Sequence, residues 1–164
     1  MRLLRLVPLA IALVITQVSV FPNLRLFGVV PDLALLGAVA IAWTEGGELG
    51  AWFGFLSGLM IDFFVTTPFA MTALAYGVTA YFAASLHEAV DRRVPVLVVL
   101  AGVGSGLVAG IVFVVMAILA GADQLQSSHT FVVVAAVALY DAVLAIPVFA
   151  CVRFVVGDRQ GMRL

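Results

Sequence analysis

VLVVLAGVGSGLVAGIVFVVMAILA, running from Val96 to Ala120, contains no charged residue and only one polar side chain, Ser105. Coiled as an α-helix at ~1.5 Å per residue it would reach about 37 Å, more than the ~30 Å of hydrocarbon in a bilayer. A helix that is apolar on every side has no face to turn toward water. The stretch therefore reads as a membrane span, and FVVVAAVALYDAVLAIPVFACV, Phe131 to Val152, is of the same kind, with Asp141 as its one charged residue.

The whole chain agrees with these two runs. Of its 164 residues 65% are hydrophobic and 10% charged, and the mean hydropathy is +1.25. An ordinary soluble domain is roughly half apolar and about a quarter charged. A compact soluble core of this size could not hide so much apolar side chain, which leaves lipid as its surroundings. All of the basic residues are arginine. The absence of lysine removes a Walker A phosphate site and a Schiff-base nucleophile, and the balanced charge offers no basic face for nucleic acid. Cys151 has no second cysteine to pair with, and its apolar neighbours predict a buried, inert thiol.

Outward from the two long runs, the pattern predicts an all-α integral membrane domain with six transmembrane helices, near residues 6–21, 31–47, 49–65, 69–86, 96–120 and 131–152. Arg2 and Arg5 before the first run resemble the start of a signal peptide, but no small-x-small cleavage site follows it. The second segment is short: Leu33 to Trp43 is uncharged, where about twenty residues cross comfortably. Pro31 suits the first turn of a helix, and Asp32 beside it favours the positive helix end. Bilayer thinning or neighbouring helices would cover the shortfall.

With both termini cytoplasmic, Arg2, Arg5, Arg92, Arg93, Arg153, Arg159 and Arg163 lie inside and Arg25 alone outside, as the positive-inside rule requires. Five spans with an external N-terminus would move Arg2 and Arg5 outside and Arg25 inside, a weaker bias. Trp43 and Trp52 flank the turn between the second and third spans, where interfacial aromatic residues are expected.

Gly46, Gly50, Gly54 and Gly58 recur every fourth position, Asp62 falls on the same register, and Gly102, Gly106 and Gly110 repeat the device in the fifth span. Four-residue spacing puts each set on one helix face, where the missing side chains let backbones approach. Two readings follow: packing within this chain, or reception of a partner's transmembrane helix. Gly104, Gly106 and Ala109 also fit the dinucleotide fingerprint, which needs a strand and an exposed glycine turn that a continuous span does not offer.

Asp62 is expected about 5 Å below the outer boundary and Asp141 about 15 Å down, near the midplane, with Thr16, Gln17, Ser57, Thr79 and Ser105 in the same middle layer. A carboxyl at the depth of Asp141 with no arginine beside it is expected to be protonated and hydrogen-bonded across helices. The two readings of this layer are structural glue and a proton or solute pathway. His87 and His129 fall in loops on opposite sides, so they make no metal or catalytic pair. Ser127 and Ser128 beside His129, and the acids Glu45, Glu48, Glu88 and Asp91, read as solvated loop. No cofactor, metal or catalytic group is expected.

The segment Gln17 to Pro22, then Val30, Pro31, Asp32 and Leu33, then Gly50, Gly54, Phe55, Gly58, Leu59 and Asp62, followed by Pro68, Tyr76, Leu139 and Tyr140, resembles the MreD family of bacterial rod shape-determining proteins. Asp141 departs from the family pattern, in which asparagine or another polar residue stands. The resemblance implies a non-enzymatic, multi-pass scaffold of the cytoplasmic (inner) membrane. Its implied partners are MreC, MreB, RodA and a class B penicillin-binding protein, and its implied role is maintaining cell shape during peptidoglycan synthesis. It also implies a fold resembling the substrate-binding subunits of energy-coupling-factor transporters. On that footing the partner helix is expected to meet Gly50, Gly54, Gly58 and Asp62, with Leu24, Leu26 and Phe27 of the first loop nearby. The rival reading is a solute-binding subunit of a vitamin importer or a small carrier, with the middle polar layer as its pocket.

Overall fold

The computed structural model describes residues 3–21, 29–65, 70–87, 95–119, 121 and 128–156. Within them the chain forms six helices: α1 (Leu3–Ser19), α2 (Leu33–Glu45), α3 (Gly47–Asp62), α4 (Met71–His87), α5 (Pro95–Leu119) and α6 (Ser128–Val156). Two of them, over Val96–Leu119 and Val132–Val156, are long and apolar enough to cross a membrane. Large apolar side chains point outward all around the bundle, among them Ile15, Leu56, Phe82, Ile111, Val143 and Phe154. Apolar side chains exposed in this number are disfavoured in water.

The short second segment is the centre of the molecule. Every residue of α2 from Leu33 to Trp43 is buried, and the helix packs against α1, α3, α4, α5 and α6. A helix enclosed by protein needs no match to the lipid thickness, which is why 13 residues suffice. It runs over 33–45 instead of 31–47: Asp32 is its N-cap and Pro31, fully buried, stands just ahead of the first turn. The turn into α3 is a single residue, Gly46, at φ +112°, a conformation that only glycine adopts without strain.

The glycine faces explain the packing. A Cβ on Gly50 would collide with Ala42 of α2; one on Gly54 would lie 2.8 Å from the Tyr76 carbonyl oxygen and 3.1 Å from the Ala38 Cβ. At Gly58 it would lie 2.6 Å from the Ala73 Cα. The ladder thus passes from α2 at one end of α3 to α4 at the other. In α5, Gly102 faces Ala145 and Asp141, Gly106 faces Ala138, and Gly110 faces Val134, an antiparallel seam with α6. Leu13 of α1 sits over Gly37 of α2, with its Cδ1 2.5 Å from where a Cβ would be. Without a hydrophobic drive between helices in lipid, such close approach supplies the dispersion contacts that hold a bundle together.

Several boundaries move for identifiable reasons. Helix α3 stops at Asp62 and not at residue 65, and Phe63, Phe64 and Val65 are exposed beyond it. Helix α4 starts at Met71 and not at residue 69, after Ala70 in a left-handed conformation at φ 72°. The sixth helix, expected over 131–152, extends to 128–156 and carries Pro147 in its interior. His87 is the last residue of α4 and His129 the second of α6, so both belong to helix ends and not to loops.

Candidate functional site: a polar knot at the start of α2

Helix α6 runs past the bundle for its full length, and at ~1.5 Å per residue Asp141 lies about 20 Å from Ser128, halfway along. The Oδ1 of Asp141 accepts the backbone N–H of Asp32 at 2.8 Å. The start of α2 therefore lies at the depth of Asp141 and not at a bundle surface. A helix begins with backbone N–H groups that have no partner of their own, and here they must find one in the interior. Asp32 does not supply it, since its side chain makes no cap bond. Gln17 does, from α1: its Oε1 accepts the Ala34 N–H at 2.9 Å.

The Asp32 carboxyl is used sideways. Its Oδ1 accepts from the Gln17 Nε2 at 2.9 Å and from the Tyr76 hydroxyl at 2.6 Å; a longer contact of 3.5 Å joins the Gln17 Nε2 to the Tyr76 oxygen. Four helices thus meet in one hydrogen-bonded knot: α1 through Gln17, α2 through Asp32, α4 through Tyr76 and α6 through Asp141. Both acids lie at the positive end of α2, the favourable end for carboxyl groups. The second oxygen of Asp141, Oδ2, is buried with no partner, and so are the Thr79 Oγ1 and the Tyr140 hydroxyl. A Cβ on Gly106 would lie 3.1 Å from that Oδ2, so the orphaned oxygen abuts the glycine face of α5.

Asp62 makes a second polar device. Buried at the last residue of α3, it accepts the Thr72 N–H through Oδ1 at 3.3 Å and the Ala73 N–H through Oδ2 at 3.2 Å. Those are among the unpaired N–H groups of the first turn of α4, so Asp62 caps a neighbouring helix. The ladder Gly50, Gly54, Gly58 and Asp62, expected as a surface for a partner, is taken up by α2 and α4 of this same chain. No room remains on that face for another helix, and the second face, Gly102, Gly106 and Gly110, is likewise filled by α6. Leu24, Leu26 and Phe27, expected beside it, lie outside the described residues.

The middle polar layer divides. Gln17 and Asp141 join the knot, but the Ser57 hydroxyl donates to the Phe53 carbonyl at 2.8 Å and the Ser105 hydroxyl to the Gly102 carbonyl at 3.0 Å, each within its own helix. Thr16 does the same with Ala12. The Thr79 hydroxyl, the remaining member of the layer, is buried with no partner. Trp43, expected at the membrane interface, is buried; its indole N–H donates to the Ala83 carbonyl at 2.7 Å and its ring meets Phe149 edge-on at 5.5 Å. Trp52 does face outward. Cys151 is exposed on α6, opposite to the burial its neighbours suggested. Among the described residues no three His, Cys, Asp or Glu side chains gather to hold a metal ion.

Comparison with known proteins adds no relative: no family model, no curated protein and no solved structure matches the chain.

Tyr76 was the member of the knot whose role no pattern disclosed. It stands in an apolar helix with nothing in its spacing to pair it with Asp32, 44 residues away. A polar-tipped aromatic within a span is nevertheless a signal, because a hydroxyl at that depth must find a partner.

Proposed function

We propose that this protein is a non-enzymatic membrane scaffold of the bacterial cell-elongation (Rod) complex, an MreD-like subunit that contacts MreC and, through it, the MreB, RodA and class B penicillin-binding components. It crosses the inner membrane six times with both termini in the cytoplasm and helps organise peptidoglycan synthesis that maintains cell shape. The observation that carries the reading is where the polar and glycine residues go. Gln17, Pro31, Asp32, Gly50, Gly54, Gly58, Asp62 and Tyr76 carry the resemblance, and in the fold they cap, bridge and pack helices. A protein that spends these residues on its own architecture and turns large apolar side chains outward is built for lateral contact.

The solute-binding alternative draws less support, because the Ser57 and Ser105 hydroxyls of its supposed pocket bond their own helices and a cleft of about 440 Å³ between α3 and α4 is lined mostly by apolar groups. The test is depletion followed by microscopy, together with co-purification from membranes. Rounded cells and recovery of MreC support the scaffold. Rods of normal shape, or a vitamin retained through detergent purification, refute it. Reporters fused after Glu48 and at Leu164 should both read cytoplasm; an external reading at either end would refute the topology.

A further inference from the structure

Helices α3 and α4 touch closely through Gly54 and Gly58 on their inner side and part on their outer side. There they leave an open cleft of about 440 Å³ whose floor is Ala51 and Gly77 and whose walls include Trp52, Phe55, Tyr81 and Phe82. Trp52, Tyr81 and Phe82 are each more than half exposed, at 59%, 57% and 59%. The cleft runs along α3 from Glu48 to Phe55, about 10 Å or two helical turns. Its end is marked by charge: Glu48, exposed in the first turn of α3, is the one ionisable acid among the lining residues.

We infer that this cleft receives a single transmembrane helix of another protein, one that carries a lysine or arginine at the end level with Glu48. The inference rests on the scaffold reading above and names the surface it uses. Small residues on the floor let a helix backbone come close while aromatic walls supply contact area. Under the topology proposed above, Glu48 lies on the cytoplasmic side, where single-pass helices are flanked by basic residues. An acid at the mouth of an otherwise apolar cleft matches that flank and repels an anionic lipid headgroup. It also sets direction, since a helix inserted the other way would leave its basic flank far from Glu48.

The experiment places a photo-crosslinking phenylalanine analogue at Val78 or Phe82 in the cleft, and at Leu139 or Val143 on the outer face of α6, in the full chain in its own membranes. The cleft positions should yield an adduct with a tryptic peptide from a single-pass helix flanked by a basic residue; the α6 positions should not. Glu48→Arg should lower the adduct yield about three- to tenfold, and replacing the partner's basic residue with glutamate should restore it. Adducts with lipid alone, with a second copy of this chain, or equally from α6 would overturn the assignment, as would a yield indifferent to Glu48→Arg or a loss that charge exchange does not restore. A crosslinked single-pass helix from a protein unconnected with wall synthesis would instead remove the Rod-complex reading and leave the cleft assignment standing.

Discussion

Gly58→Ala and Gly104→Ala add the same methyl group to glycines of two helices, and the structure assigns them opposite consequences. At Gly58 the new carbon would lie 2.6 Å from the Ala73 Cα and 2.7 Å from the Thr72 carbonyl oxygen, both backbone atoms that cannot rotate away. Carbon atoms rest at about 3.5–4.0 Å, so α3 and α4 must part by about 1 Å. The Asp62 bonds to Thr72 and Ala73, already 3.3 and 3.2 Å, would stretch beyond hydrogen-bond length. Overpacking costs about 1–3 kcal/mol and each of the two lost bonds about 1 kcal/mol, so the helices should lose about 3–5 kcal/mol, a roughly 150- to 5000-fold shift in the folding equilibrium. At Gly104 nothing lies within 4 Å, and alanine should be neutral or slightly favourable. Thermal or denaturant unfolding of the isolated protein in detergent reads the difference. Equal stability of the two variants would refute the packing argument and return the α3 glycines to the role of a partner's seat, where only complex formation should suffer.

The polar knot gives graded outcomes in the same unfolding assay. Gln17→Leu orphans the Ala34 N–H and should cost about 1–3 kcal/mol, whereas Tyr76→Phe removes one donor to Asp32 and should cost about 1–2 kcal/mol. Asp141→Asn keeps an oxygen for the Asp32 N–H and should leave the protein close to wild type in stability, while Asp141→Leu strands that N–H and should destabilise it by about 1–3 kcal/mol. Brominated lipids should quench the fluorescence of Trp43→Phe protein, which keeps only Trp52, and barely touch Trp52→Phe protein, in which the emitter is the enclosed Trp43. Equal quenching of the two would contradict the burial of Trp43.

Much of the helical order could be read from composition and spacing. The long apolar runs locate α5 and α6, and the four-residue glycine period places Gly50, Gly54, Gly58 and Asp62 on one face because a helix turns by a fixed angle. The period does not say which neighbour that face meets, and the answer, α2 and α4, depends on contacts no local pattern encodes. The knot was hidden for a related reason. Asp141 and Asp32 are 109 residues apart, and depth counted along a span starts from a membrane boundary. Helix α2 does not, so an acid expected near the surface meets one expected at the midplane. Cys151 and Trp43 differ for related reasons: apolar neighbours do not say which side of α6 faces the bundle, and a place beside a turn does not say whether an indole meets lipid or protein.

The enclosed position of α2 bears on how the molecule is made. A nascent chain that has produced only residues up to Glu45 holds a helix too short to rest in lipid, whose N-cap N–H, that of Asp32, looks toward a carboxyl not yet synthesised. Its lodging is complete only when α6 delivers Asp141. Truncation ahead of α6 should therefore undo the beginning of the chain as surely as its end, leaving the early helices to membrane proteases.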